Sequence, residues 1–175
     1  MKNLNFLPVL LLFILASCSS VRVNADYDKK ADFGSYKTYA YLKSAVDKAE
    51  ISDLDKKRIL HSIDDALLTK GFTKNETPDL LVSIFTKENQ RVDVYNNNNF
   101  GWGFGWNNWG MGLGYSNVYS TPEGTLYIDL IDAKTKELVW QGEGSGYLTK
   151  NTEEKDARIK EFVDKILMQY PPQKK

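Results

Sequence analysis

Hydrophobic and polar residues alternate in an early part of the chain. Val21, Val23 and Ala25 alternate with polar residues, which places the three apolar side chains on one face of an extended segment. Further on, the run Tyr36–Leu42 has the aromatic and β-branched composition that strands favour. These two segments predict two strands in the N-terminal part of the chain.

Two later segments repeat apolar residues at the spacing of a helix. After Ser52, which stands at an N-cap position, the repeat predicts an amphipathic helix over about 53–70 that ends before Gly71. A second helix is predicted to begin at Thr152 as its cap and to end at Pro171–Pro172. The repeated positions are Ile59, Ile63, Ala66 and Leu67 in the first helix, and Ile159, Phe162, Val163, Ile166, Leu167 and Tyr170 in the second.

Three apolar runs between and after these segments predict further strands. Leu80–Phe85 follows the breaker Pro78–Asp79 and reads as a buried central strand. Thr125–Ile131 and Glu137–Gly144 flank a polar connection of hairpin length. The order is therefore ββαβ(insert)ββα. Since each helix must bury its apolar stripe, we expect an α+β two-layer sandwich, a mostly antiparallel sheet covered by two amphipathic helices.

The N-terminus has the pattern of a bacterial lipoprotein signal. Lys2 precedes the apolar run Phe6–Ala16, and Cys18 follows small residues. Residues 1–17 are predicted to be the signal peptide, and 18–175 a single domain that is attached to the membrane by lipid on Cys18. The alternative is a free thiol behind an apolar segment, although this run is shorter than the ~20 residues of a spanning helix. Without an acidic residue next to Cys18, we expect an outer-membrane anchor that faces the periplasm.

Composition excludes several function classes. Acidic and basic residues balance at 23 each, so no strong field attracts nucleic acid. His61 is the single histidine and Cys18 the single cysteine, so a zinc site of the usual ligands cannot form, and we predict no cofactor and no metal. The expected module is non-enzymatic. The alternative is a hydrolase or other enzyme acting on cell-envelope material, for which the available carboxylate pairs are Asp26 with Asp28, Asp64 with Asp65, and Asp129 with Asp132.

Residues 96–115 form an uncharged insert of asparagine, glycine and large apolar residues. Three interpretations remain open. The segment could be a glycine-rich loop that extends the hairpin, an aromatic platform that stacks on a sugar or grips a protein, or a set of indoles at a membrane interface. The possible binding residues are Trp102, Phe104, Trp106, Trp109 and Tyr115.

Several motifs in order resemble a known family. They are Asp26-Tyr27-Asp28 before Asp32-Phe33 and Tyr36-Lys37-Thr38-Tyr39, Lys70-Gly71-Phe72 before Pro78-Asp79-Leu80, and Gly124-Thr125-Leu126 before Leu138-Val139-Trp140-Gln141-Gly142. Together they resemble the bacterial lipoproteins catalogued as domain of unknown function 4136. The resemblance implies an envelope lipoprotein of α+β fold with no established activity, so no functional residue is carried over. We therefore expect a binding or structural module that contacts envelope protein, glycan or lipid.

Overall fold

The computed structural model describes residues 21–95, 117–147, 149 and 151–173. The protein is α+β, with a mixed sheet of six strands and three helices over these residues. The strands are β1 (Arg22–Tyr27), β2 (Thr38–Tyr41), β3 (Thr73–Lys74), β4 (Leu80–Tyr95), β5 (Asn117–Asp132) and β6 (Leu138–Tyr147). The helices are α1 (Lys43–Lys48), α2 (Asp53–Thr69) and α3 (Thr152–Leu167).

The strands lie in the order β1-β6-β5-β4-β2-β3. The neighbouring strands β1, β6, β5 and β4 pair antiparallel, as predicted. Strand β2 runs parallel to both of its neighbours, β3 and β4. Parallel neighbours need a long crossover, and the chain between β2 and β4 supplies one that contains α1 and α2. The short elements α1 and β3 were not predicted.

The hydrophobic core lies between one face of the sheet and the helices α2 and α3. The buried positions are every second residue of the central strands: Leu80, Val82 and Ile84 on β4, and Leu126, Ile128 and Leu130 on β5. On β6 the same face carries Gly142 and Gly144, because α3 comes very close there. A Cβ on Gly142 would overlap the side chains of Trp140 and Ile166.

Helix α2 begins and ends as the sequence predicts. Ser52 Oγ accepts a hydrogen bond from the backbone N–H of Asp55 at 3.1 Å, which caps the first turn. The last turn is closed by Gly71 at φ 83°, and the N–H of Phe72 donates to the carbonyl of Leu67 at 3.0 Å. The predicted range of about 53–70 is confirmed to within one residue.

Helix α3 differs from the prediction at both ends. Its cap is Asn151, whose side chain accepts from the N–H of Glu153 at 3.0 Å, and Thr152 is the first helical residue. Asparagine is the stronger N-cap of the two residue types. The helix ends three residues before Tyr170, and not at the prolines. The residue before a proline is disfavoured in helical geometry, so the helix has to end earlier than Pro171.

The predicted hairpin of β5 and β6 is present, with longer strands than expected. Its turn is held by Asp132, whose carboxylate accepts from the N–H groups of Lys134 at 2.7 Å and Thr135 at 2.9 Å. Strand β4 continues well beyond its predicted end at Phe85. Past Tyr147, the last residue of β6, β4 and β5 are the strands that remain paired among the residues the structure describes. We call this two-stranded segment, residues 90–95 with 117–122, the ribbon.

Candidate functional site

A cleft of about 780 Å³ opens where the first turns of α2 and α3 meet the central strands. Ligand sites commonly have volumes of about 300–1,000 Å³ and a mainly apolar lining. The apolar lining residues are Ile51, Ile59, Leu126, Ile159 and Phe162. The polar lining residues are Glu50, Ser52, Asp55, Thr86, Lys87, Thr125, Thr149, Lys155 and Arg158.

The cleft exists because the strands are longer than the helices that cover them. Helices α2 and α3 begin at Asp53 and Thr152, whereas β4 and β5 continue past this level into the ribbon. Thr86 and Gly124 stand on the strands at the bottom of the cleft, and neither has a large side chain to fill it. At this level the sheet therefore has no helix above it, as far as the described residues extend, and the space between sheet and helices stays open.

Ion pairs hold the two helices together at the rim of the cleft. Lys155 Nζ donates to Asp55 Oδ2 at 2.8 Å, and Arg58 Nη1 donates to Asp55 Oδ1 at 2.9 Å. Burial acts to raise the pKa of Asp55, but hydrogen bonds from Lys155, Ser52 and Arg58 outweigh it and bring the pKa below its usual value. Asp55 is therefore an ionised, fully partnered carboxylate near neutral pH.

Arg158 joins α3 to the end of β6 at the same rim. Its Nε donates to the carbonyl of Tyr147 at 3.0 Å, and its Nη1 donates to Glu161 Oε2 at 2.7 Å. The guanidinium carbon lies 4.9 Å from the ring centroid of Phe162, which is a cation–π distance. The guanidinium group of Arg158 is thus held in a fixed position beside Phe162, one of the apolar residues that line the cleft.

The opposite face of the sheet carries a second group of polar and aromatic side chains. Phe85 and Tyr127 stack with ring centroids 4.2 Å apart, and Lys87 Nζ lies 5.3 Å from the Tyr127 centroid. Asp129 Oδ1 accepts from Gln141 Nε2 at 2.8 Å. Burial raises the pKa of Asp129, and the hydrogen bond from Gln141 opposes this only in part.

The family model described as "Domain of unknown function (DUF4136)" matches residues 23–172, which cover the described sheet except Arg22, the first residue of β1, and all three described helices. This chain belongs to the DUF4136 family. The resemblance found in the sequence motifs is confirmed. None of the curated proteins matches this DUF4136 chain.

Two solved structures are similar to the DUF4136 chain in fold. A PDZ domain protein from Parabacteroides distasonis ATCC 8503 is 18% identical with a TM-score of 0.53, over 89% of this chain and 37% of that one. The chain thus spans little more than a third of that protein's length. The PelC dodecamer from Paraburkholderia phytofirmans is 10% identical with a TM-score of 0.52, over 88% of this chain and 99% of that chain. At these identities the likeness concerns the fold alone.

The residues that the sequence singles out for binding lie outside the part of the DUF4136 chain that the structure describes. They are Cys18 and the aromatic residues Trp102, Phe104, Trp106, Trp109 and Tyr115. His61 is exposed on α2. No helix among the described residues is long and apolar enough to span a bilayer. The same residues contain no group of three or more side chains suited to bind a metal ion.

Three of the carboxylates considered for catalysis are engaged in local structure. Asp64 accepts from the hydroxyl groups of Tyr39 at 2.8 Å and Tyr41 at 2.7 Å. Asp132 closes its hairpin turn and accepts from Tyr36, whereas Asp129 bonds to Gln141. These side chains have separate partners and do not converge on the cleft.

The cleft could not be predicted from the sequence because its lining comes from separate parts of the DUF4136 chain. Residues from α2, α3, β4, β5 and two loops meet there. One local signal exists, since Ser52 stands at an N-cap position. That pattern predicts a cap, but it does not reveal that Asp55 faces Lys155 of another helix.

Proposed function

We propose that this protein is a lipid-anchored module of the bacterial outer membrane, facing the periplasm, which binds an apolar part of an envelope component in the cleft and catalyses no reaction. The observation that carries the binding function is the cleft itself, about 780 Å³ with a mainly apolar lining and a charged rim. The sequence around Cys18 supports the anchor, because its thiol follows an apolar run and small residues.

The electrostatics of the cleft argue against Asp55 as a general acid. A general acid needs a pKa near the working pH. The pKa of Asp55 lies below its usual value under the influence of Lys155, Ser52 and Arg58, so this carboxylate holds no proton to donate. Its ion pairs leave the apolar lining as the part of the cleft that gains most from a ligand.

Replacing one apolar lining residue with a charged one tests the cleft. We expect Ile159→Lys to weaken binding of the fluorescent apolar probe N-phenyl-1-naphthylamine by about tenfold, equivalent to about 1.4 kcal/mol. The matched control is Leu54→Lys, since Leu54 is 63% exposed on α2 outside the cleft lining. Circular dichroism of both variants checks the fold. Equal probe affinity in the two variants would show that the cleft is not the binding site.

Mass spectrometry of the protein isolated from bacterial membranes tests the anchor. We expect a mature chain that begins at Cys18 and carries acyl chains, and a Cys18→Ser variant that is recovered without them in the soluble periplasmic fraction. Acyl chains on a diacylglycerol and an amide give more than the two hydrophobic signals that stable anchoring requires. An unmodified Cys18 in the membrane-bound protein would contradict the proposal.

The aromatic insert is proposed as an additional contact with the envelope. Its composition, with three tryptophans within eight residues, is typical of binding hot spots and of membrane interfaces. Alanine at Trp102, Trp106 and Trp109 should lower association with envelope glycan, with lipid vesicles or with a co-purifying protein. Unchanged association with all three would leave the insert as an extension of the hairpin only.

A further inference from the structure

The strand register places the start of β1 and the ribbon at the same end of the molecule. Arg22 pairs with Ser145 on β6, Ser145 with Thr125 on β5, and Thr125 with Lys87 on β4. From that level β4 continues to Tyr95. The cleft opens at this level too, because Lys87 and Thr125 belong to its lining.

The ribbon extends farther than an anchor on Cys18 allows the molecule to rise. From Lys87 to Tyr95 the strand advances eight residues, which is about 26 Å at a rise of about 3.3 Å per residue. From Arg22 back to Cys18 there are four residues, which span at most about 14 Å when fully extended. With the strands upright on the membrane, the end of the ribbon would lie deeper in the bilayer than Cys18 even when residues 18–22 are fully extended. The molecule therefore has to tilt, so that the ribbon lies along the bilayer surface.

The backbone hydrogen bonds of the ribbon limit how deep it can lie in a lipid bilayer. Within the described residues each of its strands pairs only with the other, from Gln90 with Pro122 to Tyr95 with Asn117. Each strand therefore has one edge of N–H and C=O groups without a strand partner. Such groups cost several kcal/mol each in hydrocarbon, whereas headgroups and water satisfy them.

A second copy of the chain is a weaker candidate for the ribbon edge than a lipid surface. Pro122 is the first residue of β5 beyond the last pairing of β5 with β6. Proline has no N–H to donate and is found mainly at strand edges, so it disfavours the addition of another strand there. Contacts with lipid headgroups do not require a backbone N–H at a fixed position along the strand, so Pro122 does not disfavour them.

We propose that the ribbon end of the molecule is its membrane-facing end and that the ribbon lies in the headgroup layer of a phospholipid bilayer. This inference rests on the proposed acylation of Cys18. It places the opening of the cleft within a few residues of the lipid surface. An apolar ligand could then pass between the bilayer and the cleft without crossing a wide layer of water.

Fluorescence quenching in vesicles tests the orientation. The acylated full-length protein is reconstituted in vesicles of phosphatidylethanolamine and phosphatidylglycerol, with a bimane label on Ser120→Cys in the ribbon. The matched control is a label on Ser35→Cys, an exposed turn residue that precedes β2 at the opposite end of the sheet. Acylated Cys18 does not react with the label, so the introduced thiol is the single labelling site.

We expect nitroxide on the lipid headgroup to remove most of the fluorescence at Ser120 and little at Ser35. Equal, weak quenching at both positions would overturn the inference, and so would stronger quenching at Ser120 by nitroxide deep in the acyl chains. Disulfide cross-linking between two Ser120→Cys copies without lipid quenching would assign the ribbon to a second copy and also overturn the inference. A label on Asp93→Cys keeps the test valid if Ser120→Cys does not fold.

The same preparation separates this inference from the proposed function. Mass spectrometry first establishes whether Cys18 is acylated. Acylated protein with a ribbon that headgroup nitroxide does not quench contradicts the orientation alone. Protein without acyl chains contradicts the anchor, and the orientation that rests on it fails with the anchor.

Discussion

Gly142 is the residue at which the sheet and α3 come closest. A methyl group at this position would overlap Trp140 and Ile166, which are fully buried. We expect Gly142→Ala to lower the free energy of unfolding by about 1–3 kcal/mol, the usual range for overpacking a dense core. Urea denaturation measures the change. Gly34→Ala is the matched control, since a Cβ there meets only Asp32 Oδ1 at 3.4 Å, and an equal loss in both variants would refute the overlap.

Asp64 makes the stability of the domain depend on pH. Burial acts to raise its pKa, but hydrogen bonds from Lys74, Tyr41 and Tyr39 outweigh this and hold the pKa below its usual value. In the unfolded chain the pKa returns to about 4. A folded-state pKa that is depressed stabilises the protein above the unfolded value, and this contribution disappears as pH falls through the folded value.

The expected result is that Asp64→Asn lowers the unfolding free energy by about 1–3 kcal/mol at pH 7, the range for hydrogen bonds to a charged group. The difference between variant and wild type should shrink as the pH falls below about 4. Urea unfolding from pH 7 to pH 2 measures it, with Asp65→Asn on the exposed neighbouring residue as control. A difference that stays constant over this range would show that the charge of Asp64 does not contribute.

At the scale of secondary-structure elements, the end of α2 depends on one backbone conformation. Gly71 has φ 83°, a region in which a Cβ costs about 1–2 kcal/mol for most residues and less for asparagine. We expect Gly71→Ala to destabilise the domain by this amount and Gly71→Asn to destabilise it less. Thermal unfolding of the two variants measures the order, and equal melting temperatures would contradict the strain.

Local sequence patterns predicted most of the elements but missed two short ones, α1 and β3. The Ser52 cap and the apolar repeat define α2, because both signals act within a few residues of each other. By contrast β3 has two exposed residues, Thr73 and Lys74, and forms only because β2 lies beside it. A local pattern also does not determine which strands become neighbours in the sheet. The parallel pairing of β2 with β4 could therefore not be predicted from it.

The candidate site was predicted less well than the fold. Ile159 and Phe162 were identified as one apolar helix face, which is correct. That pattern does not distinguish residues that a sheet covers from those that line an open cleft. The difference depends on where the helices begin relative to strands far away in sequence, such as β4 with Thr86.

At the scale of the whole molecule, the central strands should be the most stable part. Leu126–Leu130 of β5 has paired neighbours on both sides, β4 and β6, and contributes fully buried side chains. We expect these amides to exchange hydrogen most slowly, and those of Thr73–Lys74 among the fastest, since β3 has a single short pairing. Hydrogen-exchange mass spectrometry measures both, and similar protection would contradict a core centred on β5.

Strand β1 pairs with β6, so residues from opposite ends of the domain complete one edge of the sheet. In the proposed export of the chain through the inner membrane, Arg22–Tyr27 leave the translocation channel well before their partners Trp140–Ser145. This edge of the sheet therefore cannot close until Trp140–Ser145 have crossed. Because the paired residues are far apart in sequence, this topology favours late folding, which keeps the chain unfolded while it passes through the channel.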